Sequence, residues 1–137
     1  MNETIKRLIG RYEEKGDFTY TAITDEQIAE SQSSLSVKLP IQFLEFLQTY
    51  GHGGIGGVEV LGVGKNGHLL FVEETIKYRQ HALPCSLIVI ENCDEWVYCI
   101  DTQNNNVVSW DGKNTKEEYP DFDAYLLGRF TEAIENL

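Results

Sequence analysis

Five glycines within seven residues, at positions 51–57, constrain this chain more than any other feature of its sequence. Glycine disfavours both helix and strand, so this segment is expected to be a loop. Before it, Pro40 suits the first turn of a helix, because its missing N–H costs nothing there. Four large apolar residues follow at the spacing i, i+3, i+4, i+7: Phe43, Phe46, Leu47 and Tyr50. The pattern predicts a helix over residues 40–50 that buries one apolar stripe and stops at Tyr50 or Gly51.

Two further helices are predicted before Pro40. Apolar residues at helical spacing between polar ones predict an amphipathic helix over residues 3–14. Thr24 and Gln27 match a capping box, in which each side chain accepts a hydrogen bond from the backbone N–H of the other residue. A second helix should therefore begin at Asp25 and run to about Leu35.

The residues after the glycines predict a sheet. The apolar segment 58–61 begins a β-rich region, and a hairpin-type turn at 65–67 leads to a second apolar run at 69–72, before a short helix at 73–81. Three β-branched and aromatic runs then alternate with turn formers, which predicts an antiparallel meander. These three runs are residues 87–90, 96–100 and 107–110.

A last helix is predicted after Pro120. Asp121 suits its N-cap, and apolar residues from Phe122 onwards keep one stripe. Helices on both sides of these strands in the sequence predict an α+β fold, an antiparallel β-sheet with helices packed against it. A chain of 137 residues suits one domain, 1–137, with residues 1–23 as an N-terminal helix and lead-in.

The sequence also predicts a protein of the cytoplasm. No apolar run is long enough to cross a bilayer, and the N-terminus lacks the apolar core of a signal peptide. Three cysteines without C-x-x-C spacing, Cys85, Cys93 and Cys99, are then expected to be reduced. We interpret them as small core or edge residues, since free cysteine behaves mainly as a buried hydrophobe.

The charge of the chain argues against nucleic-acid binding. Its net charge is −11, whereas a protein that binds nucleic acid needs a basic footprint to displace counterions. Residues 91–137 carry eleven acidic side chains against three basic ones, a balance of −8, so most of the negative charge lies in the last third. A surface of one sign can steer a basic partner. Plain solubility explains the same charge equally well.

Aromatic residues among these acids predict a partner-binding surface. Trp and Tyr are common anchors of protein interfaces, and both Trp96 and Trp110 lie beside acidic residues. Alternatively, at least one of the two tryptophans is a core residue of adjacent strands, because strand side chains alternate between faces. The predicted partner-binding residues are Asp94, Glu95, Trp96, Trp110, Asp111, Glu117 and Glu118.

A nucleotide site in the glycine-rich loop 51–67 is a weaker hypothesis. The pattern G-x-G-x-x-G occurs twice there, and its second copy, which begins at Gly62, is the better dinucleotide-binding candidate. Its acidic partner would be Glu91, but Glu91 lies 29 positions past Gly62, whereas that motif places the acid about 20 residues on.

Metal and nucleophile sites are not indicated either. The three histidines, His52, His68 and His81, share no metal-ligand spacing, and we interpret all three as surface or loop residues. No flanking pattern marks a Cys–His nucleophile. The sequence therefore predicts no catalytic residue, no cofactor and no metal.

The residues around the glycine cluster resemble the signature of the SUKH superfamily. The later segment IENCDEWVYCID and the closing DFDAYLLGRF are also similar to the core strand pair and the terminal helix of that family. The resemblance spans residues 24–130. The matching residues ahead of the glycines are Ile28, Leu35, Leu39, Pro40, Phe43, Phe46 and Leu47.

This resemblance implies a binding protein. Members of the SUKH superfamily are known mostly as immunity proteins that bind and neutralise bacterial polymorphic toxins, many of them nucleases, and fungal relatives act in cell-wall regulation. The resemblance therefore implies an immunity protein whose partner is a cognate toxin domain, which the acidic last third predicts to be basic. The alternatives are a regulatory or scaffold module, and a nucleotide-binding or enzymatic domain that uses the loop 51–67.

Overall fold

The computed structural model describes residues 1–137 and shows the expected α+β fold, with five helices and one four-stranded antiparallel sheet. The helices are α1 (Glu3–Tyr12), α2 (Asp25–Leu35), α3 (Ile41–Thr49), α4 (Leu70–Arg79) and α5 (Phe122–Glu135). The strands are β1 (Leu87–Asn92), β2 (Val97–Asp101), β3 (Val107–Trp110) and β4 (Thr115–Tyr119). They lie in the sheet in chain order, so each strand pairs with the next. None of the five helices has the length and hydropathy needed to cross a bilayer.

The helix before the glycine cluster is confirmed. Pro40 is the N-cap of α3, with a φ of −62°, and Tyr50 is its C-cap. Gly51 follows with a φ of +75°, in the left-handed region that favours glycine. A residue with this φ ends the helix where the sequence predicts.

Helix α3 lies at the centre of the hydrophobic core. The Phe43 ring lies 5.1 Å from the Phe71 ring of α4, and the Phe46 ring lies 5.8 Å from the Phe122 ring of α5, both in edge-to-face geometry. All of the buried hydrophobic residues belong to one connected cluster, so the helices and the sheet share a single core.

The predicted caps of the other helices are also present. In the capping box of α2, the Gln27 N–H donates to Thr24 Oγ1 at 3.1 Å, and the Thr24 N–H donates to Gln27 Oε1 at 3.0 Å. At the start of α5, Asp121 accepts a hydrogen bond from the Ala124 N–H at 2.8 Å. The side chains therefore satisfy backbone donors that the first turn of a helix leaves free.

Helices α4 and α5 lie on opposite faces of the sheet. Val97 pairs with Trp110, whose ring contacts Tyr78 of α4 at 6.1 Å. The next residue, Tyr98, contacts Tyr125 of α5 at 5.5 Å. Because successive strand residues point to opposite faces, the two helices must cover different sides.

The strands predicted within residues 58–72 are wrong. Residues 69–72 mostly enter α4, because Phe71, Val72 and Thr75 are buried at helical spacing against the core. The segment before them forms only isolated bridges, Gly53 to Val60 and Val63 to Leu69. The predicted hairpin turn at 65–67 exists, but its strand pairing stops after one bridge because α4 begins at the next residue.

Strand β4 is an element that the sequence does not predict. Its residues, TKEEY, are exposed except for the half-buried Tyr119, so they show none of the apolar alternation that marks a half-buried strand. β4 forms because it pairs with β3, with Thr115 opposite Trp110 and Glu117 opposite Val108. It forms one edge of the sheet.

Candidate partner-binding site

Two turns and one helix end surround a cavity at one end of the sheet. In an antiparallel meander, the turns that join β1 to β2 and β3 to β4 lie at the same end of the sheet. The last turn of α4 lies beside them and completes the cavity, whose volume is about 190 Å³. Its lining residues are Tyr78, His81, Asp94, Glu95, Trp96, Val97, Trp110, Asp111 and Gly112.

The turn between β1 and β2 is tied to helix α4 by Asn92. The Asn92 side-chain oxygen accepts a hydrogen bond from the Asp94 N–H at 2.8 Å, which holds Asp94 at a φ of +67°. The Asn92 side-chain amide donates to Glu74 Oε2 at 3.0 Å and to the Tyr78 hydroxyl at 2.9 Å. This turn therefore has a fixed position relative to the aromatic lining of the cavity.

The turn between β3 and β4 is held by Asp111. Its Oδ1 accepts hydrogen bonds from the backbone N–H groups of Asn114 at 2.8 Å and Lys113 at 3.0 Å, while Gly112 takes a φ of +100°. These bonds to the charged form lower the pKa of Asp111 below its usual value. The carboxylate therefore stays ionised at neutral pH and keeps its second oxygen free for another donor.

The two tryptophans occupy different environments. Trp110 is only 5% exposed, so the prediction that at least one tryptophan belongs to the core is confirmed. Trp96 is half-buried, and its ring lies 6.2 Å from the Tyr98 ring, on the side of the sheet that faces α5. Trp96 still borders the cavity, so it is the more accessible of the two tryptophans there.

Glu117 and Glu118 lie apart from the other five predicted residues. Both are exposed on β4 and neither lines the cavity. Glu117 accepts a hydrogen bond from the Asn106 side-chain amide at 2.7 Å, and Glu118 accepts one from the Ser109 hydroxyl at 3.2 Å. The structure therefore groups Asp94, Glu95, Trp96, Trp110 and Asp111 around one cavity and leaves these two glutamates along the neighbouring edge.

The carboxylates around the cavity have no cationic partner. Asp94, Glu95 and Asp111 are exposed, and none of them forms an ion pair with a lysine, arginine or histidine of the chain. Water and salt therefore screen much of their charge in the free protein. A cation brought by another molecule would find three unpaired charges within one small concave surface.

One residue of the acidic last third, Glu91, is not part of the acidic surface. It is 3% exposed, and its carboxylate accepts bidentate hydrogen bonds from Arg129 at 2.6 and 3.0 Å and one from the Tyr125 hydroxyl at 2.7 Å. The hydrogen bonds with Glu91 raise the pKa of Arg129, and burial raises the pKa of Tyr125. The sequence shows only an acid at the end of the apolar run LIVI, and nothing in it identifies a partner 38 residues away.

His52 lies in a loop, within the prediction of a surface or loop residue, but it is buried there. It is 8% exposed, and its Nδ1 accepts a hydrogen bond from the Gly62 N–H at 2.9 Å. Its Nε2 lies 3.0 Å from Glu59 Oε2, so in the neutral ring the proton sits on Nε2 and is donated to Glu59. Histidine here connects the two glycine-rich segments.

The glycine-rich loop packs closely against itself. A side chain at Gly62 would meet the Gly51 carbonyl oxygen at 1.8 Å, and one at Gly54 would meet the Val58 carbonyl oxygen at 1.9 Å. Glycine is therefore required at these positions for backbone packing.

The acid considered for a dinucleotide site, Glu91, is held in its buried ion pair with Arg129. No group of three or more His, Cys, Asp or Glu side chains is arranged to hold a metal ion.

The three cysteines should differ sharply in reactivity. Cys85 is exposed, Cys99 is buried, and Cys93 is half-buried with its pKa raised to about 12 by burial and by nearby Glu91. The thiolate is the reactive form, so iodoacetamide should alkylate Cys85 first and Cys93 at least about tenfold more slowly. Mass spectrometry of the native protein measures the order, and alkylation in guanidinium is the control in which all three should react alike. Equal rates for Cys85 and Cys93 in the native protein would mean that burial and Glu91 do not suppress the Cys93 thiolate, and only a faster rate at Cys93 would indicate an activated nucleophile.

The chain matches a known protein family in sequence and a solved structure in fold. The model of a family described as SMI1-KNR4 cell-wall, SUKH_5, matches residues 1–131. Among solved structures, the chain is similar to the crystal structure of a protein from Pseudomonas syringae pv. tomato. The two share 23% sequence identity with a TM-score of 0.66, and the match covers 86% of this chain and 91% of the other. At that identity the likeness shows a common fold.

Proposed function

The chain belongs to the SMI1-KNR4 cell-wall family of the SUKH superfamily, and on that basis we propose that it is an immunity protein. In this role it binds a cognate bacterial toxin in the cytoplasm and neutralises it by protein contact, without catalysing a reaction. Family membership supports the class of function, since superfamily members are known mostly as toxin-immunity proteins. The partner chemistry is argued from the surface of this chain.

One observation carries the proposal, the cavity rimmed by the unpaired carboxylates of Asp94, Glu95 and Asp111. Trp96 offers an aromatic residue at the same place, and buried aromatic anchors surrounded by polar rims are typical of protein interfaces. The surface thus suits a basic protein partner. A toxin that acts on nucleic acid fits this description, because its cleft must be positively charged to bind phosphates.

The test begins by searching the neighbouring genes for a toxin-like domain, and then measures binding kinetics with that domain. The triple variant Asp94→Asn, Glu95→Gln, Asp111→Asn should associate about tenfold or more slowly at low salt, because exposed charges act mainly on the association rate. The difference should shrink at high salt, where charges are screened within a few ångströms. Trp96→Ala should instead shorten the lifetime of the complex.

The matched control removes the same charge elsewhere. Asp25, Glu26 and Glu30 are exposed on α2, which does not border the cavity, so Asp25→Asn, Glu26→Gln, Glu30→Gln changes net charge equally. If both triple variants slow association by the same factor, the interface lies elsewhere and only the total charge matters. If neither variant changes the rate, the acidity is a solubility feature.

A regulatory binding module is the second candidate, because the matched family is described by a cell-wall role. Such a module would use the same surface for a cellular partner. A cell-protection assay distinguishes the two functions: an immunity protein should protect cells that express a toxin from a neighbouring gene, whereas a regulatory module should not.

A further inference from the structure

We propose that the cavity between the two turns receives the guanidinium group of one arginine side chain from the protein partner. This inference rests on the proposed function, since it names the group by which a basic partner is recognised. It concerns the cavity itself, whereas the acidic rim alone predicts only a general attraction for positive charge.

The size of the cavity limits its occupant. Its volume of about 190 Å³ is below the roughly 300–1,000 Å³ of sites that hold small-molecule ligands and cofactors. It is larger than one water molecule, whose share of liquid volume is about 30 Å³. A single long side chain suits this space better than a nucleotide or a folded segment of the partner.

The walls of the cavity combine aromatic rings with carboxylates. Tyr78, Trp96 and Trp110 supply the aromatic lining, and Asp94 and Asp111 belong to the two turns on either side. Tyr78 and Trp110 pack edge to face in this wall, with an angle of 80° between their rings. A cation in the cavity would contact aromatic surface and still reach a carboxylate.

Arginine matches these walls better than lysine does. The guanidinium is planar, weakly hydrated, stacks on aromatic rings and donates paired hydrogen bonds to a carboxylate, whereas the lysine ammonium is a compact and strongly hydrated charge. The chain itself shows the same combination elsewhere. Arg129 lies 5.1 Å from the centre of the Tyr98 ring while it makes its bidentate pair with Glu91.

The chain supplies no arginine or lysine side chain to the cavity. Its lining contains one residue that can become cationic, His81, which is exposed at the end of α4 and forms no ion pair. Lys113 lies near Asp111 in the turn but does not line the cavity or pair with that carboxylate. The site is therefore open to a cation from outside the molecule.

The experiment uses the full chain and three short peptides, acetyl-Gly-Arg-Gly-amide and its lysine and citrulline counterparts. Two-dimensional NMR follows the indole N–H signals of Trp96 and Trp110 and the backbone signals of residues 110–112. The arginine peptide should shift these signals in a saturable way and bind at least about fivefold more tightly than the lysine peptide. The uncharged citrulline peptide should cause no saturable shift.

Variants place the binding within the cavity. Asp111→Asn should weaken binding of the arginine peptide at least about fivefold, whereas Glu26→Gln, an exposed acid on α2 outside the cavity, should leave it unchanged. Equal affinities for the arginine and lysine peptides, or shifts spread over the whole acidic surface, would overturn the inference. So would the absence of any response in the cavity at millimolar arginine peptide.

These outcomes separate the inference from the proposed function. If the toxin binds through Asp94, Glu95 and Asp111 but the arginine peptide does not enter the cavity, the immunity role stands and the arginine contact is wrong. If the peptide binds and no toxin does, the cavity recognises arginine in some other partner. In the complex, replacement of one partner arginine with lysine should weaken binding at least about tenfold, and no such residue would exist if the inference were wrong.

Discussion

Replacing Phe46 with alanine should lower the free energy of unfolding by about 3–5 kcal/mol. The side chain is fully buried, and its ring contacts those of Tyr50 and Phe122 at 5.9 and 5.8 Å. The substitution removes the buried apolar surface and leaves a cavity between α3 and α5 that neighbouring rings fill only in part. Urea unfolding followed by tryptophan fluorescence and circular dichroism measures the change.

The same helix provides a matched control for Phe46. Ile41 is 74% exposed at the start of α3, so Ile41→Ala should change the free energy of unfolding by no more than about 0.5 kcal/mol. A loss below about 1 kcal/mol for Phe46→Ala would mean that the ring is not in a packed core. Equal losses for both variants would indicate that the helix, and not the burial, determines the effect.

Replacing Arg129 with methionine should destabilise the protein by a comparable amount, about 3–5 kcal/mol. Methionine keeps much of the length of the side chain but removes the charge that compensates Glu91, whose side chain is 3% exposed. Glu91 would then remain buried with only the Tyr125 hydroxyl as a polar side-chain partner. The cost is the penalty of an uncompensated buried carboxylate, measured by urea unfolding at neutral pH.

Two further variants identify the cause of that loss. Glu132 pairs with the same arginine at 3.2 Å, but its side chain is 59% exposed, so Glu132→Gln should cost less than about 1 kcal/mol. The double variant Glu91→Met, Arg129→Met buries no charge and should recover much of the stability lost by Arg129→Met. If the double variant is no more stable than Arg129→Met, the loss comes from packing around Arg129 and not from the stranded carboxylate.

Elements whose signals are local could be predicted from the sequence. Helix α3 lies between Pro40 and Gly51, which mark its two ends, and the capping box at Thr24 and Gln27 sets the start of α2 at the residue observed. These signals depend on neighbouring residues only, so no knowledge of tertiary structure is needed. The strands of the meander are similarly marked by apolar runs between turn formers.

Elements that depend on distant contacts could not be predicted in this way. β4 has no buried side of its own and forms through its pairing with β3. Residues 69–72 have the composition of a strand, yet they mostly fold into α4 because Phe71 fits against Phe43 in the core. Tertiary packing overrides local preference at such places.

The candidate site likewise combines features that local sequence signals predict with features that depend on distant contacts. The acidic and aromatic residues near 94–96 and 110–111 could be found in the sequence, because they flank predicted turns. Their meeting in one cavity follows from the meander, but the contributions of Tyr78 from α4 and of His81 just after that helix do not. The burial of Glu91 could not be predicted from the sequence, because its partner Arg129 lies on α5, 38 residues away, and local patterns do not show such distant contacts.

The outer strand β4 has a consequence for how copies of this protein behave together. Its position at the edge of the sheet leaves a row of backbone N–H and C=O groups that another strand could bind, which is the usual start of edge-to-edge aggregation. Lys116, Glu117 and Glu118 stand along that edge, and charged side chains resist the approach of an identical strand. The strand that contributes least to the core thus carries charges that disfavour edge-to-edge pairing between identical copies.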